Sequence, residues 1–156
     1  MAASLENKRN VHVDTTIPAD QFYGFFKNNM VRFVQLFPRN IKNVQIQGGG
    51  GVRTGCIMFW KYDLGITGSP MTAKVKVAAV DDENKSITME ILEGDVFKFY
   101  KSFKVKIQFN DVDNSASKIV WALEYEKANE SAPDPDHYVN FAVKLTKGID
   151  AQLRMA

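Results

Sequence analysis

From Ile119 the chain reads I-V-W-A-L-E-Y-E, with Ile119, Trp121, Leu123 and Tyr125 recurring at strict period two. That is one face of a β-strand, and the face is bulky and half aromatic. A short acidic link, S-A-P-D-P-D, follows. Beyond it Tyr138, Phe141, Leu145 and Ile149 recur at steps of three and four, the apolar stripe of one long helix. Asp134 is the expected N-cap, with Pro135 at the first helical position and Asp136 at the positive end of the dipole. The helix should run to about Leu153. A sheet with an oversized inner face, followed at once by a terminal helix, predicts a helix held in the grip of a curved sheet. Such an arrangement encloses either a packed core or a pocket.

The rest of the chain fits this frame. Val11, Val13 and Thr15 alternate with His12 and Asp14, a half-buried first strand. Pro18 suits the first turn of a helix. Phe22, Phe26, Met30 and Phe33 have helical spacing, and Asn28-Asn29 marks a break because asparagine competes for backbone hydrogen bonds. Two short helices, about 18–27 and 30–36, are expected. Period two then returns over 42–47, 53–62, 70–80, 85–93, 99–109 and 117–126. The breakers between these strands are the glycines at 48–51, then 65–69, 81–84, 93–95 and 110–115. Short loops between consecutive strands imply antiparallel pairing. The sum is an α+β chain with seven antiparallel strands, two short helices after the first strand and one long terminal helix.

The 156 residues suit a single domain, 1–156, with a substantial core. No apolar run approaches the length of a membrane-spanning helix, so membrane insertion is not expected. The first ten residues contain no apolar leader, and the lone Cys56 has no internal partner; both predict a reduced, cytoplasmic protein. Net charge is only +2 with lysines scattered singly, as on a solvated sheet face, which argues against nucleic-acid binding. Gly50 and Gly55 have the spacing of a phosphate loop, but no Lys-Ser/Thr follows and the loop enters a strand. With two histidines and no ligand spacing, neither metal nor cofactor is expected. Cys56 shares a register with Met58 and Trp60 and reads as a small buried hydrophobe.

Three segments carry a resemblance to a known family. The run G-C-I-M-F-W-K-Y-D-L-G at 55–65, E-G-D-V-F-K-F-Y-K-S-F at 93–103, and W-A-L-E-Y-E-K-A-N-E at 121–130 followed by D-P-D-H-Y resemble the major latex protein branch of the birch pollen allergen family. The resemblance spans essentially the whole chain. It implies a helix-grip, START-like fold: seven curved strands around the C-terminal helix, with an apolar cavity between them. It also implies a plant cytosolic protein linked to defence or stress; separately, a monomer or weak dimer is expected. Members of that superfamily carry small hydrophobic metabolites or hormone-like ligands. A minority are cofactor-free cyclases or isomerases of specialised metabolism, and that is the alternative activity. Met58 stands where the birch-allergen type often has an inward lysine, so an anion-holding role does not carry over to it.

Alternation and this resemblance together give a lining. Phe22, Phe26, Met30 and Phe33 come from the short helices. Met58, Trp60, Tyr62, Val75, Met89, Ile91, Phe103 and Val105 come from the middle strands. Trp121, Leu123 and Tyr125 come from the last strand, and Tyr138, Phe141 and Leu145 from the terminal helix. Methionine and phenylalanine can repack around varied ligands, and the tyrosine hydroxyls would orient one. If the chain is an enzyme, its acid–base groups should be Tyr62 or Tyr138. His137 at the helix start, or Lys101, between Phe99 and Phe103 on the inward register, would assist; the competing readings are a later strand start or a bulge that turns Lys101 to solvent, and a His137 simply exposed near the helix start.

Overall fold

The computed structural model describes residues 6–113 and 115–154. The first five residues, read above for a leader, and Asn114, within the expected break at 110–115, lie outside the described residues. Strand β1 (Glu6–Thr15) leads into helix α1 (Ala19–Asn28). A 3₁₀ turn (Met30–Arg32) and helix α2 (Phe33–Leu36) follow, and a second 3₁₀ turn (Asp95–Lys98) joins the fifth and sixth strands. Six strands come next: β2 (Ile41–Ile46), β3 (Ile57–Tyr62), β4 (Met71–Asp81), β5 (Ser86–Gly94), β6 (Tyr100–Asp113) and β7 (Ala116–Lys127). Helix α3 (Asp136–Arg154) closes the chain. The strands form one antiparallel sheet in the order β1-β7-β6-β5-β4-β3-β2.

Several boundaries differ from the sequence reading. β3 begins at Ile57, not 53, because Arg53 folds back and donates to the carbonyls of Gly49 and Gly51. β6 runs past Asn110 because its ladder with β7 persists to Asp113↔Ala116. α3 starts at Asp136, so Pro135 precedes the helix, and its carbonyl accepts the first helical bond, from the Val139 amide. The Asp134 carboxylate is not a cap; it pairs with Lys127 at 2.8 Å. Pro18 likewise stands before α1 and accepts from the amides of Gln21 and Phe22.

The glycine loop now has a reason. Gly48, Gly49 and Gly50 all have positive φ, which costs a residue without Cβ nothing. Gly51 is needed for a different purpose: a Cβ there would lie 2.9 Å from the Lys27 carbonyl, so the loop packs directly on the end of α1.

The outer sheet face explains the scattered lysines. Lys8 faces Glu124, Glu124 faces Lys104, Lys104 faces Glu90, and Glu90 faces Lys76. Opposite charges thus alternate across five strands, and each such pair contributes roughly 0.2–1 kcal/mol.

On the inner face, α3 is fixed at its C-terminal half. The buried Asp150 accepts from the Thr16 amide (3.0 Å) and hydroxyl (3.2 Å). Trp121 donates its indole N–H to Thr146 (2.8 Å), which donates in turn to the Ala142 carbonyl (2.7 Å). Phe22, Phe26, Phe33 and Phe109 pack the end of the core under α1.

Candidate functional site

Between that phenylalanine cluster and the N-terminal half of α3 the side chains do not meet. They leave an apolar cavity of about 150 Å³. Phe26, Met30 and Phe33 close it from the short helices, and Ile41, Trp60, Tyr62 and Leu64 from β2, β3 and the residues just after β3. Ala73, Val75, Met89, Ile91, Phe103, Val105, Trp121 and Leu123 form its floor on β4 to β7. Tyr138, Phe141, Ala142 and Leu145 of α3 form the roof. The space is below the ~300–1,000 Å³ typical of pockets for drug-sized ligands. Among the described residues, no charged side chain lies on its wall.

Most of the residues expected to line a pocket are therefore on one wall. Three are not. Phe22 lies behind the wall, stacked on Phe26 and tilted against Phe109. Met58 is fully buried in packed core. Tyr125 stacks on Phe103 and meets Tyr100 edge-on, so Phe103 stands between it and the cavity. Conversely, Ile41, Leu64, Ala73 and Ala142 belong to the wall and were missed. Ile41 preceded the assigned strand, and Leu64 follows one. Ala73 sits two residues from Val75 and Ala142 four from Tyr138, so period alone marks both positions. Their small size gave no pocket signal.

Two of the four acid–base candidates are excluded by geometry. Lys101 is exposed. Pairing with β7 passes from Tyr100↔Lys127 to Ser102↔Glu126, so Lys101 is the extra residue of a bulge and turns outward. The buried neighbour is Tyr100, whose hydroxyl donates to the Pro133 carbonyl at 2.7 Å. His137 is also exposed, on the solvent side of the first turn of α3.

The other two meet. The Tyr62 and Tyr138 hydroxyls are 2.6 Å apart, their rings edge-to-face at 5.9 Å. Burial pushes the Tyr62 phenol up, and the hydrogen bond from Tyr138 partly opposes it. Tyr138 is pushed far above the ordinary tyrosine range, first by burial, then by Tyr62. Both are neutral phenols at physiological pH. One proton is used between them, and the other remains to be donated. A third polar atom lies in the wall: the Trp60 indole nitrogen is buried and has no hydrogen-bond partner among the described residues. The arrangement can hold an apolar body and offer a neutral donor to an oxygen. Among the described residues, no cluster of His, Cys, Asp or Glu is placed to hold a metal ion.

Comparison with known proteins gives the same frame. Residues 4–156 match the pathogenesis-related protein Bet v 1 family. MLP-like protein 28 of Arabidopsis thaliana is 33% identical over 97% of this chain, which spans only 45% of that relative's length. MLP-like protein 43 of the same plant is 32% identical, over 97% of this chain and 96% of its own. The crystal structure of ginseng major latex-like protein 151 from Panax ginseng superposes with a TM-score of 0.85 at 29% identity, covering 95% of this chain and 97% of that one.

Proposed function

This chain belongs to the pathogenesis-related protein Bet v 1 family, and from that premise we propose that it is a binding protein for a small, neutral, hydrophobic plant metabolite held between sheet and α3. One observation carries the reading: the cavity of about 150 Å³ has an uncharged wall whose donors are a tyrosine pair and an indole. A dry apolar cavity of roughly this size accepts a single aromatic ring. Larger ligands require the wall to yield, and Met30 and Met89 are the side chains suited to that. A role in defence or stress forms part of the same proposal, supported by the family's description, and so does cytoplasmic residence, which suits the single buried thiol of Cys56.

The enzyme alternative is weaker. With Lys101 and His137 outside, acid–base work would fall to two phenols whose pKa values are raised, which keeps them protonated near neutral pH and makes them weak acids. A neutral anchor suits holding a ligand better than turning it over.

The test uses N-phenyl-1-naphthylamine, an uncharged apolar fluorophore, together with mass spectrometry of ligands retained through native purification. Saturable binding that quenches tryptophan emission, and that is insensitive to moderate salt, is expected. Absence of saturable binding, or binding that collapses in salt, would defeat the reading.

A further inference from the structure

The sheet is not closed throughout. β5 and β6 pair only from Ser86↔Gln108 to Glu90↔Lys104. Both strands continue, β5 to Gly94 and β6 back to Tyr100, without pairing to each other. Each carries a bulge where they part. Leu92 has no partner on β4, because pairing passes from Lys74↔Glu93 to Val75↔Ile91. Lys101 has none on β7, as described above. Each bulge lies in the ladder with the strand's other neighbour and bends its own strand, and it is at these bends that β5 and β6 cease to pair. Gly94 completes the departure. Its φ of +144° and the 2.3 Å that would separate a Cβ from the Thr72 carbonyl let β5 swing against β4 as it leaves the sheet.

Outside the gap the surface is hollowed, and only side chains stand between it and the cavity. A groove of about 760 Å³ lies there, bordered outside by Lys8, Glu124 and Lys104. At its inner end are Ile91 and Phe103, which also form part of the cavity wall. Leu92, at the rim, is 39% exposed. Interior strands of a sheet ordinarily remain paired, because unpaired backbone groups must find other partners. Here pairing is given up where a groove and the cavity share two side chains.

We propose that this gap between β5 and β6 is the passage through which a ligand moves between solvent and the cavity. Ile91 and Phe103 form its inner sill, and Leu92 and Lys101 its outer rim. The proposal rests on the ligand-binding reading above. The sill is apolar, as passage of an uncharged hydrophobic molecule requires.

The experiment bridges the gap. In a Cys56→Ala background, Leu92→Cys and Ser102→Cys are joined by a short bismaleimide. Association and dissociation of N-phenyl-1-naphthylamine are followed by stopped flow before and after bridging. Both rates are expected to fall about tenfold or more while the dissociation constant stays within about twofold. That pattern marks a barrier on the path, not a change in the site. The same bridge between Thr88→Cys and Lys106→Cys, where the strands are paired, should alter neither rate. Leu92→Trp, which obstructs the rim without a cross-link, should slow both rates in the same way. Rates unchanged by both the bridge and Leu92→Trp overturn the passage while leaving ligand binding intact. No binding by the unbridged protein overturns the ligand-binding reading, and the passage with it.

Discussion

Tyr62 and Tyr138 share one hydrogen bond across an otherwise apolar space, so each hydroxyl matters differently from its ring. Tyr62→Phe or Tyr138→Phe preserves the wall and removes one oxygen. For a ligand with an acceptor oxygen, either change should weaken binding by about tenfold, the worth of one neutral hydrogen bond. For a pure hydrocarbon probe it should change little. Titration of both ligand types against both variants checks this, and equal losses for the two would show that the pair acts through shape. The two tryptophans offer a second contrast. Trp121 donates to Thr146, whereas the buried Trp60 donor has no partner. Trp121→Phe should therefore cost more stability than Trp60→Phe, by about 1 kcal/mol, in chemical denaturation. Trp121→Ala should cost less than the about 3–5 kcal/mol of a fully packed ring, because one side of Trp121 borders the cavity.

At the scale of elements, the position of α3 decides how much space remains beneath it. Gly148 lies against the ring of Phe37, and a Cβ there would come within 2.6 Å of it. That ring is buried between Phe33 and Phe141 and has little room to retreat. Gly148→Ala gains about 1 kcal/mol in helix propensity but meets an overpacking cost of about 1–3 kcal/mol. The expected outcome is a net loss of about 1 kcal/mol by thermal denaturation, with altered probe affinity as α3 is pushed outward. A higher melting temperature with unchanged affinity would show that Phe37 yields instead. The strands carry a similar lesson. β6 is held to β7 along nearly its whole length but leaves β5 after Glu90↔Lys104, so one edge of the same strand is fixed and the other is open.

The molecule as a whole hides its phenols. All five tyrosines, Tyr23, Tyr62, Tyr100, Tyr125 and Tyr138, are shifted above the ordinary value, burial being the leading cause in each. Tyr100 is pushed up to about 12. The sign follows from linkage: above pH ~10 an unfolded chain has lost its tyrosine protons while the native one keeps them, so stability falls as pH rises. For Tyr100 this loss spans the window from about 10 to about 12. A spectrophotometric titration should show little phenolate near pH 10 in the native protein. Absorbance should then rise together with loss of the far-ultraviolet signal. Normal titration of several tyrosines while the fold persists would contradict the burial described here.

Much of this architecture follows from local pattern. Alternation marked the strand faces, glycine and acidic breakers marked their ends, and the stripe from Tyr138 to Ile149 marked the covering helix, because side-chain direction repeats with backbone period. Fifteen of the eighteen lining residues expected from that alternation together with the family resemblance lie on one wall. Lys101 and Tyr100 show where the pattern stops. Period two assumes an unbroken ladder, and one extra residue reverses inside and outside from that point on. Whether a residue is extra depends on the strand beside it: Lys101 is bulged only because Tyr100 and Ser102 pair with Lys127 and Glu126. The same holds for the cavity and for the gap between β5 and β6. Composition supplied apolar faces, but the empty volume is the difference between two packed surfaces. That difference is set by long-range contacts such as Gly148 on Phe37 and Asp150 on Thr16, which only the assembled chain brings together.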